Sequence, residues 1–268
     1  MRSAPTQTKR LLVINPNTSV EVTALLQQHI RTQLLHNSAQ PGPAYEVEAT
    51  TAHFGPAYIS SEVAYTIASH ACLDAWAGKV AGHNGALLPW DGIVIGCFGD
   101  PGLLAMRELA PIPVTGLAEG AFTVAAQHGN FGIVTGGERW RPMLQRLAQA
   151  LHCDHTLKDI ATVELTGAQL MANRPAALEM LRQACQQQLQ THEVDAIIIG
   201  GAALTGMAAE IQAHVAVPLI DSVHAAARHI SHQMRCEPPT QSPQPCTGAA
   251  VRWSGLSTAL EALLANRA

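Results

Sequence analysis

Two stretches of this chain carry the same strand-and-turn pattern. Asp91-Gly92-Ile93-Val94-Ile95-Gly96-Cys97 is echoed by Asp195-Ala196-Ile197-Ile198-Ile199-Gly200-Gly201. Each is a short apolar run bounded by turn signals, the pattern of a strand buried on both faces. The echo extends further. Pro113 follows Cys97 by 16 residues and Pro218 follows Gly201 by 17. The strand and turn at 11–18 likewise parallel those at 132–137. Internal similarity at half the chain length implies two copies of one α/β unit. Strands alternating with helices imply a parallel sheet in each. The expected fold is therefore α/β, with two pseudo-symmetric domains and a cleft between them. If the copies face each other across a pseudo-two-fold axis, Cys97 and Gly201 lie on opposite walls of that cleft.

The rest of the chain fits this frame. In the first half, strands are expected at 10–14, 45–50, 92–96 and 112–115. Helices are expected at 20–35, 62–79, from Leu103 onward, and at 117–128. In the second half, strands are expected at 131–135, 160–165, 194–200 and 217–220. Helices are expected at 139–151, 176–190, 207–213 and from Asp221 to about Met234, with a terminal helix at 256–266. Residues 236–248 are rich in Pro, Gln, Ser and Thr and read as a mobile loop.

Cys97 sits where a buried strand ends and a Gly/Pro/Asp turn begins. That is the crevice where open α/β sheets bind ligands. Asp100 suits a cap for the next helix and Pro101 its first position. A helix start beside the thiol would bias it toward thiolate. The alternative is an inert buried cysteine. Asn15, Asn17 and Thr18 fill the equivalent turn after the first strand, where they either cap a helix or point into the cleft.

Composition narrows the function. The chain has 268 residues, 47% hydrophobic and 13% charged, with a net charge of -4. This suits a folded soluble protein and offers no electrostatic case for nucleic acid or an acidic membrane surface. No apolar run reaches the length of a membrane span. Residues 1–10 lack an apolar signal core, so the cytoplasm is the expected compartment. The six cysteines form no CxxC pair and no zinc-like spacing. His152-Cys153-Asp154-His155 is the densest cluster of metal-binding residue types, but it falls in a polar connection without a recognised ligand spacing. No phosphate-binding glycine fingerprint appears, so no cofactor is expected.

Seven stretches carry a family resemblance: 14–19 (INPNTS), 55–61 (GPAYISS), 96–103 (GCFGDPGL), 113–121 (PVTGLAEGA), 133–140 (IVTGGERW), 200–208 (GGAALTGMA) and 217–226 (VPLIDSVHAA). Together they resemble the aspartate/glutamate/hydantoin racemase superfamily, closest to its hydantoin and allantoin racemase branch. The resemblance implies two Rossmann-like domains, the first from 1–113 plus 222–268 and the second from 114–221. It implies cofactor-free racemization of a small molecule between the domains by two cysteines, and a homo-oligomer. Cys97 matches the first family cysteine. The second falls at Gly201, and no other cysteine replaces it.

The chemistry expected is proton transfer at a carbon next to a carbonyl, on a 5-substituted hydantoin or related cyclic ureide. Such a carbon acid needs a positioned base and a site that stabilises the enolate oxygen. Cys97 is the expected base. Asn15, Asn17, Thr18, Ser60, Thr135, Gly201 and Ala202 are the expected substrate contacts. Thr205, Asp221 and His224 are candidates for the second acid, although each also suits a turn, cap or helix-surface role. Only Arg139 supplies a cation in these turns, which favours a neutral ring. The absent second thiol keeps two alternatives open: a single-cysteine decarboxylase or isomerase of the same superfamily, or a non-catalytic small-molecule binder.

Overall fold

In the computed structural model, which describes residues 8–37, 43–83, 88–163, 169, 172–236 and 252–265, the apolar runs become the inner strands of two parallel sheets. The first sheet contains β1 (Lys9–Asn15), β2 (Tyr45–Thr51), β3 (Gly92–Ile95) and β4 (Val114–Gly116), in the order β2-β1-β3-β4. Its helices are α1 (Val20–Asn37), α2 (Glu62–Ala81) and α3 (Leu103–Leu109). After α4 (Leu117–Ala126) comes the second sheet, with β5 (Phe131–Gly136), β6 (Leu157–Val163), β7 (Ala196–Gly200) and β8 (Leu219–Asp221). Its order is β6-β5-β7-β8, the same topology again. Helices α5 (Trp140–Ala150), α6 (Arg174–Thr191) and α7 (Met207–Ile211) belong to this half, and α8 (Ser222–Arg235) and α9 (Thr258–Ala265) follow.

Side chains alternate between the faces of each strand, and the cores follow that alternation. Leu11, Val13 and Val94 join Phe131, Ile133 and Ile198 of the second sheet in one shared core. Leu12, Ile14, Ile93 and Ile95 pack outward with Trp76 and Trp90. Val134, Ile197 and Ile199 pack outward in the other half. Each such fully buried aliphatic side chain is worth roughly 1.5–3 kcal/mol of burial. The repeated aspartates also have a structural reason. The Asp91 carboxylate accepts the Arg10 N–H at 2.8 Å, and Asp195 accepts the Asn130 N–H at 2.8 Å. Each thereby pins its own strand to the start of the neighbouring one.

The halves exchange helices. Helix α4 leaves the first sheet and packs on β7 and β8, whereas α8 leaves the second and packs on β3 and β4. The two helices cross where a Cβ on Gly120 would lie 2.6 Å from the Ala226 Cα. Only glycine permits that approach.

Some local expectations change. Asp100 does not cap α3. That helix starts after Gly102, at φ +84, and Asp100 lies too far ahead of it. Its carboxylate instead accepts the N–H groups of Ala118 and Glu119, at 2.9 and 2.8 Å. These open α4, whose cap residue Gly116 has no side chain to offer. The strand expected at 112–115 begins later, at Val114, because Pro111 and Pro113 have no N–H for the ladder. The helix expected at 207–213 ends at Ile211 and tightens into a 3₁₀ turn, Gln212–His214. Residues 237–251, most of the expected mobile loop, lie outside the described residues. No described helix is long and apolar enough to cross a membrane.

Candidate active site

A cavity opens at the C-terminal ends of the central strands of both sheets. Asn17, Tyr58, Ile59, Cys97 and Phe98 line it from the first half. Thr135, Trp140 and the 200–204 turn line it from the second. Among the described residues, no Asp, Glu, Lys or Arg contributes to this lining.

Cys97 is 8% exposed. It follows β3, whose last residue Ile95 pairs with Ile14 of β1. Burial pushes its thiol well above the usual cysteine range, and the nearby Asp100 carboxylate and Cys72 push the same way. The expected bias toward thiolate is therefore not found. Helix α3 is only seven residues long, and desolvation outweighs its dipole. Burial likewise pushes the Asp100 carboxyl up to about 7, against the opposing pull of the Ala118 and Glu119 N–H groups. Asp100 holds a left-handed backbone at φ +54, so the turn beside the thiol is strained.

Across the cavity, Gly201 stands where the second thiol would be. Its backbone has φ +139, and its N–H donates to Ser222 Oγ at 3.2 Å. A Cβ there would find space, with Leu204 Cγ at 3.6 Å. Among the described cysteines only Cys97 lines the cavity. Gly201 leads into a single 3₁₀ turn, Ala202–Leu204. The opening N–H groups of such a turn have no carbonyl within it to bind.

The asparagine cluster divides its labour. Asn15 is fully buried and does not line the cavity. Its amide nitrogen donates to Asn17 Oδ1 at 2.8 Å, Ser19 O at 2.9 Å and Thr23 Oγ1 at 3.0 Å. Asn17 Oδ1 also accepts the Ser19 N–H at 2.9 Å. With that oxygen committed, Asn17 has its NH₂ group to offer a ligand. Asn15 is thus a support for Asn17 rather than a contact.

The other expected residues separate into two groups. Thr135, Gly201 and Ala202 line the cavity with Cys97 and Asn17. The Thr135 hydroxyl donates to Gly200 O at 2.7 Å. Thr18 and Ser60 do not line it; the Thr18 N–H ties its turn to Pro56 O at 3.2 Å.

None of the three second-acid candidates reaches the cavity. Asp221 ends the edge strand β8 and caps α8 through the Val223 and His224 N–H groups. It also accepts the Gly206 N–H at 2.6 Å and the Thr205 hydroxyl at 3.3 Å. His224 faces His29, with Nε2 and Nδ1 3.4 Å apart. The reason is topological: the cavity opens over the central strands β5 and β7, and Asp221 sits one strand too far out.

Sequence reasoning did not select three lining aromatic residues, Tyr58, Phe98 and Trp140. A signal was available. Aromatic residues make up only 4% of the chain, and these three all lie in the resembling stretches.

Comparison with known proteins agrees with this geometry. Residues 11–230 match the family described as Asp/Glu/Hydantoin racemase. A hydantoin racemase from Paenarthrobacter aurescens is 31% identical over 224 residues, covering 82% of this chain and 88% of that protein. A hydantoin racemase from Pseudomonas sp. (strain NS671) is 27% identical over 220 residues, covering 82% and 83%. The solved allantoin racemase from Klebsiella pneumoniae superposes with a TM-score of 0.73 at 30% identity, covering 84% of this chain and 86% of that one. With two equivalent parallel sheets meeting at one cavity, and a match spanning most of its length, this chain belongs to the Asp/Glu/hydantoin racemase family and is an isomerase of the racemase type.

Proposed function

We propose that the protein racemizes a 5-substituted hydantoin or related cyclic ureide without a cofactor, with Cys97 as the base on one face. The observation that carries this reading is a cavity whose lining, among the described residues, holds one thiol and no charged side chain. Such a wall suits a neutral ring and disfavours a dicarboxylate, which would be desolvated without a counter-ion. Val22, Ile59, Phe98, Trp140 and Leu204 offer an apolar bed for the ring substituent.

The reaction begins when the Cys97 thiolate takes the C5 proton. The electron pair moves to the adjacent carbonyl oxygen, giving an enolate. The Asn17 NH₂ and the N–H groups of Ala202 and Ala203 are the donors proposed to hold that oxygen. A proton then returns to C5 from the other face. The same reading divides the chain into 1–113 with 222–268, and 114–221, which assigns α4 and α8 each to the sheet it packs against; β4, at 114–116, nevertheless pairs with β3 in the first sheet, so the boundary belongs after it.

The test is proton NMR in deuterium oxide with single enantiomers of several 5-substituted hydantoins and allantoin, beside Cys97→Ala. Loss of the C5 proton signal together with optical rotation, absent in the variant, supports the reading. Exchange with retained rotation would move the assignment to one-sided proton transfer, the chemistry that Gly201 favours as the second reading.

A further inference from the structure

Racemization needs a proton source on the face opposite Cys97, because a lone base that returns its proton exchanges without inverting. Among the described residues, five lining side chains carry a proton on N, O or S: Asn17, Tyr58, Cys97, Thr135 and Trp140. An amide, an indole and an alcohol ionise far above the working range, and the Thr135 hydroxyl is already given to Gly200 O. The phenol differs. By residue type a phenol is a far stronger acid than an amide, an indole or an alcohol.

The position of Tyr58 matches the need. It belongs to the loop between β2 and α2, in the first half. Its hydroxyl nevertheless reaches the second half, 3.2 Å from where a Cβ on Gly137 would stand. Gly137 directly follows β5, whereas Cys97 follows β3. The thiol and the phenol therefore line one cavity from the ends of central strands of opposite sheets. Gly137 keeps that place open through a left-handed backbone at φ +91, which favours glycine.

We propose that Tyr58 is the second acid/base of the racemization, acting on the face opposite Cys97. This rests on the racemase reading above. In one direction the Cys97 thiolate takes the C5 proton, the Tyr58 O–H gives its proton to the opposite face, and the enolate pair forms the new C–H bond. Cys97 thiol and Tyr58 phenolate remain. That pair is the one that runs the other enantiomer: the phenolate takes the proton and the thiol returns one. Proton passage from thiol to phenolate through solvent resets the site.

The experiment compares wild type, Tyr58→Phe and Cys97→Ala on each separate enantiomer of 5-isobutylhydantoin and 5-benzylhydantoin in deuterium oxide, following C5 deuteration by NMR and inversion by chiral chromatography. Tyr58→Phe is expected to lose racemization by about 100-fold or more. It should still deuterate one enantiomer with retention, the one whose C5 proton faces Cys97. That residual one-sided exchange also shows that the variant is folded and binds substrate. Racemization by Tyr58→Phe within threefold of wild type overturns the inference, and so does loss of exchange for both enantiomers. A wild-type protein that racemizes neither compound overturns the racemase reading for this substrate class and the inference with it.

Discussion

The ring of Phe98 occupies the place where a side chain on Gly200 would stand: a Cβ there would lie 2.2 Å from Phe98 Cε1 and 2.5 Å from Cζ. The relation is reciprocated. Trp140 of the second half fills the place of a side chain on Gly99 of the first, with Cζ3 at 2.3 Å. Each half thus receives an aromatic ring from the other at a turn glycine, and both rings line the cavity.

Gly200→Ala forces the Phe98 ring out of its seat. The expected cost is about 1–3 kcal/mol, the usual range for overpacking, with a clear fall in kcat/KM as the cavity wall moves. Gly78→Ala is the control. A Cβ there meets nothing within 4 Å, and alanine inside helix α2 should add about 0.5–1 kcal/mol. Thermal melting and steady-state kinetics on both variants check the contrast.

Under the proposed mechanism, Cys97 sets the pH dependence of the rate. Burial and the Asp100 carboxylate favour its protonated form, so the thiolate fraction grows as pH rises. Under the proposed mechanism, kcat/KM should climb from neutral into alkaline pH without a plateau near 8. Asp100→Asn removes one of the opposing charges and should move the climb to lower pH. Iodoacetamide alkylation of Cys97, followed by mass spectrometry across the same pH range, reads the thiolate independently.

Asp100 also links pH to stability. Burial raises its carboxyl to about 7 in the folded protein, while in the unfolded chain it titrates in the ordinary aspartate range near ~4. Between those values the folded state holds a proton that the unfolded state has released. Its contribution is therefore full below about pH 4 and is lost as pH rises toward 7. Asp100→Asn should flatten that part of the profile while weakening the cap on α4. Denaturant midpoints measured from pH 4 to 8 for both proteins provide the check.

Gly201→Cys tests whether the second wall can be re-equipped. There is room for the side chain, but φ +139 is a conformation that other residues adopt at a cost of about 1–3 kcal/mol. The variant should melt earlier than wild type. Backbone adjustment at 200–202 should also disturb the Gly201 N–H bond to Ser222 Oγ. Differential scanning calorimetry beside Gly201→Ala separates the backbone cost, shared by both, from any effect of the sulfur.

The central strands were legible because they are buried on both faces, and uninterrupted Ile/Val runs leave few other readings. The repeated aspartates marked the register of the two halves before their reason was visible. Asp100 misled because capping is a local rule, whereas its carboxylate serves a helix 18 positions away in sequence. Asp221 and His224 misled for a related reason. Their neighbours in sequence lie at the cleft, but they follow the edge strand β8, one strand outward. Thr205 follows the cavity-lining turn, and its hydroxyl is directed to Asp221 instead. Asn15 looked like a ligand contact because residue type cannot reveal that its amide NH₂ is spent on Asn17, Ser19 and Thr23. Tyr58 was hidden because its chain position belongs to one half and its hydroxyl to the other.

The exchange of α4 and α8 gives the molecule the connectivity of a domain-swapped dimer whose two subunits have been joined end to end. In a true dimer of identical subunits, symmetry would force the same residue onto both sides of the shared site. One continuous chain lifts that constraint. Position 97 can keep a thiol while position 201 becomes glycine, and a loop from one copy can reach over to serve the other. Fusion makes asymmetry at the cleft heritable, and each side is then free to specialise.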